Sequence, residues 1–497
     1  MEKRHRILYT ESELVAVYHG MVSSARKNLK KRKFNQSLID LIHAAKLMYD
    51  LNHQVHDAEL LDICLLCSRL LFEDVMGFVP IKESLLFYDN FSWDNRGLTQ
   101  QYLDALLHLP NIKLVYVNDQ SHVYPSSHIY DLLHTNHVEI VELRNVKDYV
   151  EKAQILRDTI LKFRPAKAFF HLTPHCVVPF VGFGFLQSIT KYQINLTDHA
   201  FWIGNSSFFD YSLEFREFGC NISFFNRGFR MDQILYLPYY PWQETDSFRG
   251  FPTGIEGKKI LFSGGALLKL EGGDDSFFSI VKGILGNNLD VVLLYAGDGD
   301  RTHFENFIRS NHFGGRVFLL GNRTDIAEVF KRIDIYLGTY PIGGGLMSQY
   351  AAINGKPLLI YKTWGINDVI CIKKKDSIVF DSEDELLKEA NRLIREPNYY
   401  QEKSDYYKGL VINNKDFRNY LKIALDGKSP VEWEKKVVPI SNDENIRRIN
   451  NGGYQTDLLI FPYTSFYLKI KVLANCMLSI PYYSHRIINA IKRWIRI

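Results

Sequence analysis

Between residue 10 and residue 75, apolar side chains return every three or four positions, in stretches near 12–28, 33–52 and 57–73, with no run that alternates as a strand does. That spacing predicts a helical extension over residues 1–78. At Ser84 the pattern changes to short apolar runs separated by amphipathic stretches: "SLLFYD" (84–89), "KLVYVND" (113–119), "VEIVEL" (138–143), "AFFHL" (168–172) and "YQINLTD" (192–198). After the proline-rich "YLPYYPW" (236–242) and a polar stretch ending at Lys258, a second series follows. Its runs are "KILFS" (259–263), "DVVLLYAG" (290–297), "RVFLLG" (316–321), "DIYLGTY" (334–340), "PLLIY" (357–361) and "SIVF" (377–380). Alternation of this kind predicts parallel strands with crossover helices. The fold class expected is therefore α/β, with two Rossmann-like doubly wound domains over 79–245 and 246–430 and a closing segment over 431–497. Such sheets take ligands beyond the carboxyl ends of their strands, so a cleft faced by those ends is the expected active site.

Composition narrows the chemistry. A chain of 497 residues that is 46% hydrophobic is too long for one core. A net charge of +4 argues against nucleic acid as a partner and leaves only local patches to attract anions. The six cysteines are scattered, and Cys64 and Cys67 lie in a helical stretch without the companions of a zinc site. The N-terminus has no apolar leader segment, and no run of about 18 apolar residues offers a membrane span, so a cytoplasmic location is expected.

The stretch "GTYPIGGGLMSQYAAINGKP" (338–357) reads as a strand end, a turn of Gly343, Gly344 and Gly345, and a helix opened by Leu346 and Met347 and closed near Gly355 and Pro357. Glycines there let the backbone approach a ligand, and the first-turn amides of the helix suit an anion such as phosphate. The same glycines also suit a tight turn with no ligand. A second glycine turn, "LFSGGALLK" (261–269), places Gly264 and Gly265 on the same sheet edge with Lys269 available to a diphosphate. Asn322 and Arg323 in "GNRTD" (321–325) offer donors to a base edge or a leaving group. Neither glycine cluster has the GxGxxG or GxxxxGK[ST] spacing, which argues against dinucleotide enzymes and P-loop ATPases.

The order "LFSGGALLK", "LLYAGDGD", "VFLLGNRTDIAEVFKRIDIYLGTYPIGGGLMSQYAAINGKPLLIY" over about 258–395 resembles the donor-binding half of GT-B glycosyltransferases. The resemblance implies a nucleotide-diphosphate sugar as co-substrate, no bound cofactor and no metal. The family carries an acidic residue for the donor ribose where this chain has Tyr350, so Gln349 and Tyr350 are the candidates for that contact. The "TYPIGGG" wording is similar to the O-GlcNAc-transferase-like branch. A further pattern, "TDHAFWIG…EFREFG…RGF…LPYYP", resembles bacterial surface-glycan glycosyltransferases and implies a glycan or lipid-linked acceptor.

The first domain is then expected to hold the acceptor. Asp94 is the first candidate for general base and His175 the second, with His199 beside Asp198 as a third; Asn95, Arg96 and Arg216 are acceptor-binding candidates. "GDGD" (297–300) reads as a turn rather than a metal site. From Ser465 to Ile497 six Lys or Arg and no acid occur, and Ile487, Ile488, Ile491, Trp494 and Ile495 recur at helical spacing. This basic amphipathic helix suits an anionic membrane surface or packing on the protein itself. The expected function is sugar transfer in surface polysaccharide synthesis. A nucleotide-sugar epimerase of the same fold and a non-catalytic nucleotide-sugar-binding protein are the alternatives.

Overall fold

The computed structural model describes residues 7–73, 77–91, 98–120, 128–270, 275–362, 379–438, 445–446, 449–450 and 454–475. Asp94, Asn95, Arg96 and the helix expected over 487–495 lie outside the described residues. The chain divides into two units, each with its own parallel sheet.

The first unit takes described residues of 7–91, 109–236 and 427–475. Its three leading helices are α1 (Glu11–Lys30), α2 (Phe34–Leu51) and α3 (Ala58–Leu71). Thr10 and Glu13 form a reciprocal capping box at the start of α1, Asn52 closes α2 in the left-handed conformation, and Asp57 caps α3. These helices are integral to the fold. Tyr18, Met21, Leu41, Leu47, Leu61 and Cys64 share one buried cluster with Leu86, Val115 and Phe170 of the sheet.

That sheet has seven strands: β1 (Ile81–Asp89), β2 (Lys113–Asn118), β3 (Glu139–Glu142), β4 (Pro165–His171), β5 (Thr190–Asn195), β6 (Tyr211–Glu214) and β7 (Ile234–Tyr236). They run in the order β3-β2-β1-β4-β5-β6-β7, all pairings parallel. The sequence pattern predicts β1 to β5. It passes over β6 and β7 because "YSLE" carries two polar residues and "ILY" runs straight into prolines. The order reverses between β1 and β4, so the ends of those two strands flank a switch point. The chain returns to this unit at its end. Asn221 donates to the carbonyl of Glu434 at 3.0 Å, Tyr463 Oη donates to Asp40 at 2.7 Å, and Tyr9 Oη donates to Asp457 at 2.6 Å.

The second unit takes described residues of 98–108 and 237–426. Its sheet contains β8 (Lys259–Gly264), β9 (Val291–Ala296), β10 (Val317–Gly321), β11 (Ile335–Leu337), β12 (Leu358–Tyr361) and β13 (Val379–Phe380), in the order β10-β9-β8-β11-β12-β13. Every one of these strands falls on a run that the sequence pattern singles out. Here the switch point lies between β8 and β11, the two strands that lead into the glycine turns. Within this unit the helix Leu98–Leu107 packs on the helix Asn414–Leu425, where Arg418 makes two bonds of 2.7 and 2.8 Å to Asp104 and Tyr102 meets Phe417 edge-on.

Candidate functional site

The two glycine turns of the second unit meet. Gly265 N–H donates to the Ala296 carbonyl at 2.9 Å, Gly297 N–H to Gly321 at 2.9 Å, and Leu267 N–H to Asp298 at 2.9 Å, so the loops after β8, β9 and β10 are laced together. Space there is minimal. A Cβ on Gly297 would lie 1.8 Å from the Gly265 carbonyl oxygen, and one on Gly264 would lie 2.8 Å from the Ala296 oxygen and 2.9 Å from Met347 Cε. Gly265 adopts φ +151°, which ordinary side chains disfavour.

Lys269 sits in the short helical turn Leu267–Leu270 and crosses to the second glycine cluster. Its Nζ donates to the Gly343 carbonyl at 3.0 Å, and its own carbonyl accepts from Ile342 N–H at 3.2 Å. A Cβ on Gly344 would lie 3.4 Å from that Nζ and 4.0 Å from the Tyr336 hydroxyl. Gly344 is the N-cap of the helix Gly345–Ile353, and no side chain caps it. An ammonium thus stands beside a helix start whose first-turn amides have no capping side chain, in a turn too tight for side chains. That combination suits a multiply charged anion.

Three expectations in this unit need correction. Tyr350 is a core residue: its ring stacks on Phe330 at 5.7 Å, its hydroxyl donates to the Trp242 carbonyl at 2.8 Å, and burial pushes its phenol upward. Gln349 is buried and donates to the Tyr239 carbonyl at 2.7 Å. Both residues fasten the segment 237–242 to the helix, which is incompatible with reaching a ribose from the surface. Arg323 is held in place too. It makes bonds of 2.7 and 2.6 Å to Asp325 and one of 2.9 Å to the Gly250 carbonyl, and serves as a loop staple where a leaving-group contact is expected. Asn322 is exposed in the same loop. The sequence reading passes over Arg301, whose Nη2 lies 3.4 Å from where a Gly321 Cβ would stand. The only signal for it is a basic residue directly after "GDGD".

In the first unit the ends of β1 and β4 carry a buried polar network. Asp89 accepts from Tyr116 Oη at 2.8 Å and lies 3.3 Å from His171 Nδ1. Asp119 accepts from Tyr88 Oη at 2.6 Å and from Lys152, and Asn90 accepts from the Thr173 hydroxyl. His175 follows β4 in the next loop. Its Nδ1 is enclosed without a partner, and burial together with the Lys46 charge pushes the imidazole down to about 3. A base that weak cannot take a proton efficiently near neutral pH, so the structure corrects its candidacy as general base.

His199 stands differently. It is half exposed after β5, with Nδ1 3.6 Å from the buried Asp198 carboxylate. Burial alone would raise the Asp198 carboxyl, but the guanidinium of Arg216, at 2.6 Å to each oxygen, and the His199 imidazole hold it well below the ordinary range. Arg216 is therefore engaged with Asp198, which corrects its assignment to the acceptor. The backbone around the pair is braced on two sides. Arg227 donates to the carbonyls of Asp198 and Ala200 at 3.0 and 2.6 Å, and Asn52 donates to the His199 carbonyl at 3.1 Å. With Asp198 at ion-pair rather than hydrogen-bond distance, His199 is left as the accessible imidazole that suits a general base.

Together the two parallel sheets, their reversed strand orders and the glycine turns define the GT-B class of fold, and the comparisons agree. No protein-family model matches the chain, and no curated protein matches it either. Among solved structures, a glycosyltransferase from Rickettsia africae aligns with TM-score 0.53 at 12% identity over 70% of this chain and 98% of that one. An O-GlcNAc transferase mutant from Thermobaculum terrenum aligns with TM-score 0.50 at 14% identity over 83% and 81%. Anabaena Alr3699/HepE in complex with UDP and glucose gives 0.50 at 12% identity over 69% and 99%.

Proposed function

We propose that this protein is a glycosyltransferase that moves a sugar from a nucleotide-diphosphate donor to a hydroxyl of a glycan or lipid-linked acceptor, in surface polysaccharide synthesis. The observation that carries the reading is Lys269 Nζ beside the uncapped glycine-rich start of the helix Gly345–Ile353. Breaking the sugar–phosphate bond leaves charge on the diphosphate. The ammonium and the first-turn amides receive that charge, and stabilising it lowers the barrier. The HepE complex holds UDP and glucose, which supports a uridine nucleotide as the first donor to try.

On this reading the acceptor oxygen attacks the anomeric carbon, the diphosphate leaves, and the acceptor hydroxyl gives its proton to a base, for which His199 of the first unit is the candidate. A base in this role corresponds to direct displacement with inversion. The test is a panel of nucleotide sugars screened by thermal shift, followed by mass analysis of the product with candidate acceptors. Transfer to an acceptor supports the proposal. An isomerised nucleotide sugar formed without acceptor would make the protein an epimerase, and binding without turnover would make it a binding protein.

A further inference from the structure

Residues 466–475 form a helix that is apolar on its outward side as well as on its inward one. Leu468, Val472 and Asn475 face inward and are buried, while Lys471 on their flank pairs with Glu13 at 2.8 Å. The outward side carries Phe466, Tyr467, Ile470 and Leu473, which are 81%, 76%, 56% and 48% exposed. On a helix of 3.6 residues per turn these four cover an arc of about 120°. Lys469 borders one side of the stripe and Lys471 the other. Asn475 bonds both backbone groups of Ile7, at 2.9 and 3.0 Å, which brings the exposed Ile7 and Leu8 beside the same helix.

We propose that this face docks on an anionic lipid surface, with the aromatic and aliphatic chains in the headgroup–acyl boundary and Lys469 toward acidic headgroups. Charge selects this occupant. From Ser465 to Ile497 the chain has Lys469, Lys471, Arg486, Lys492, Arg493 and Arg496 and no Asp or Glu. A second copy carries the same charge in this stretch and repels it, whereas an acidic bilayer attracts it. The face itself offers one side-chain hydrogen-bonding group, the Tyr467 hydroxyl, which suits a fluid apolar phase better than a directional protein partner. The inference is independent of the donor site, since it involves only the first unit.

The experiment is flotation of the full chain with phosphatidylcholine vesicles, with and without phosphatidylglycerol, comparing the natural protein with a Phe466→Ser, Ile470→Ser double variant. The natural protein is expected to float with the anionic vesicles. The double variant, with both changes on exposed positions, should bind them at least about tenfold more weakly, because two buried side chains leave the lipid. Its melting temperature and its stabilisation by UDP should be unchanged. Three results would overturn the proposal: no flotation of the natural protein; undiminished flotation of the variant, which would assign binding to residues beyond 475; or a natural dimer in sedimentation that the variant dissociates.

Discussion

Lys269 and His199 make different demands on an experiment. Lys269→Ala should weaken UDP binding by roughly tenfold to a hundredfold, the range for a charge-assisted hydrogen bond, with little change in melting temperature. Calorimetric titration reads it directly, and normal affinity would remove the phosphate role. His199→Asn should instead lower kcat by about 10²–10⁴-fold while donor affinity stays as it was, because a base acts only on the reacting proton. His175 supplies a pH signature. Its folded value of about 3 lies below the 6.5 of a free imidazole. Above pH 6.5 it is neutral in both folded and unfolded chains and contributes no pH dependence. As pH falls from 6.5 toward 3 the unfolded chain gains a proton that the folded one refuses, so stability is lost at about 1.4 kcal/mol per pH unit. Urea unfolding at a series of pH values should show that loss reduced in His175→Gln; an identical slope would mean that the imidazole is already protonated in the fold.

On the proposed reading a turn and a helix start, not a single residue, hold the diphosphate, and glycine spacing decides whether they can meet. Gly297→Ala would place a methyl 1.8 Å from the Gly265 oxygen and must push the loops after β8 and β9 apart. It should lower the melting temperature and abolish UDP stabilisation together. Gly286→Ala, in the helix Ser276–Asn287 with nothing within 4 Å of the new Cβ, should be neutral or stabilising by about 0.5–1 kcal/mol. Thermal melts with and without UDP check the pair. These elements are also what the sequence made legible. Helices α1 to α3, strands β1 to β5 and all of β8 to β13 follow from periodicity, and the two glycine turns from their place at strand ends. Strand β6 was not legible because Ser212 and Glu214 look solvent-facing until Asn195, Ser212 and Ser223 are seen bonding the Glu214 carboxylate at 2.5 to 3.0 Å. Tyr350 and Arg323 misled for a related reason. A polar side chain near a site reads as a ligand contact, and only the fold shows that Trp242 and Asp325 already engage them.

At the scale of the molecule, chain order and unit boundaries disagree. The first unit joins segments far apart in the chain: Tyr9 is held by Asp457 and by Asn450, whose side chain accepts from Tyr9 N–H at 2.7 Å and donates to its carbonyl at 3.0 Å. Ile449, Ile460, Leu468 and Val472 complete the core begun by α1 and α2. The second unit has separate apolar clusters, one on Leu293, Ile280 and Leu386 and another on Phe262, Val329 and Tyr350. Cores built from different residues predict separable unfolding. Scanning calorimetry should resolve two transitions, and only one should rise with UDP, by mass action on the unit that binds it. Asn450→Ala removes two buried bonds to Tyr9 and should lower the other transition by several degrees, from a loss of about 1–3 kcal/mol. If UDP and Asn450→Ala moved the same transition, either the donor site would belong to the first unit or the two units would melt as one.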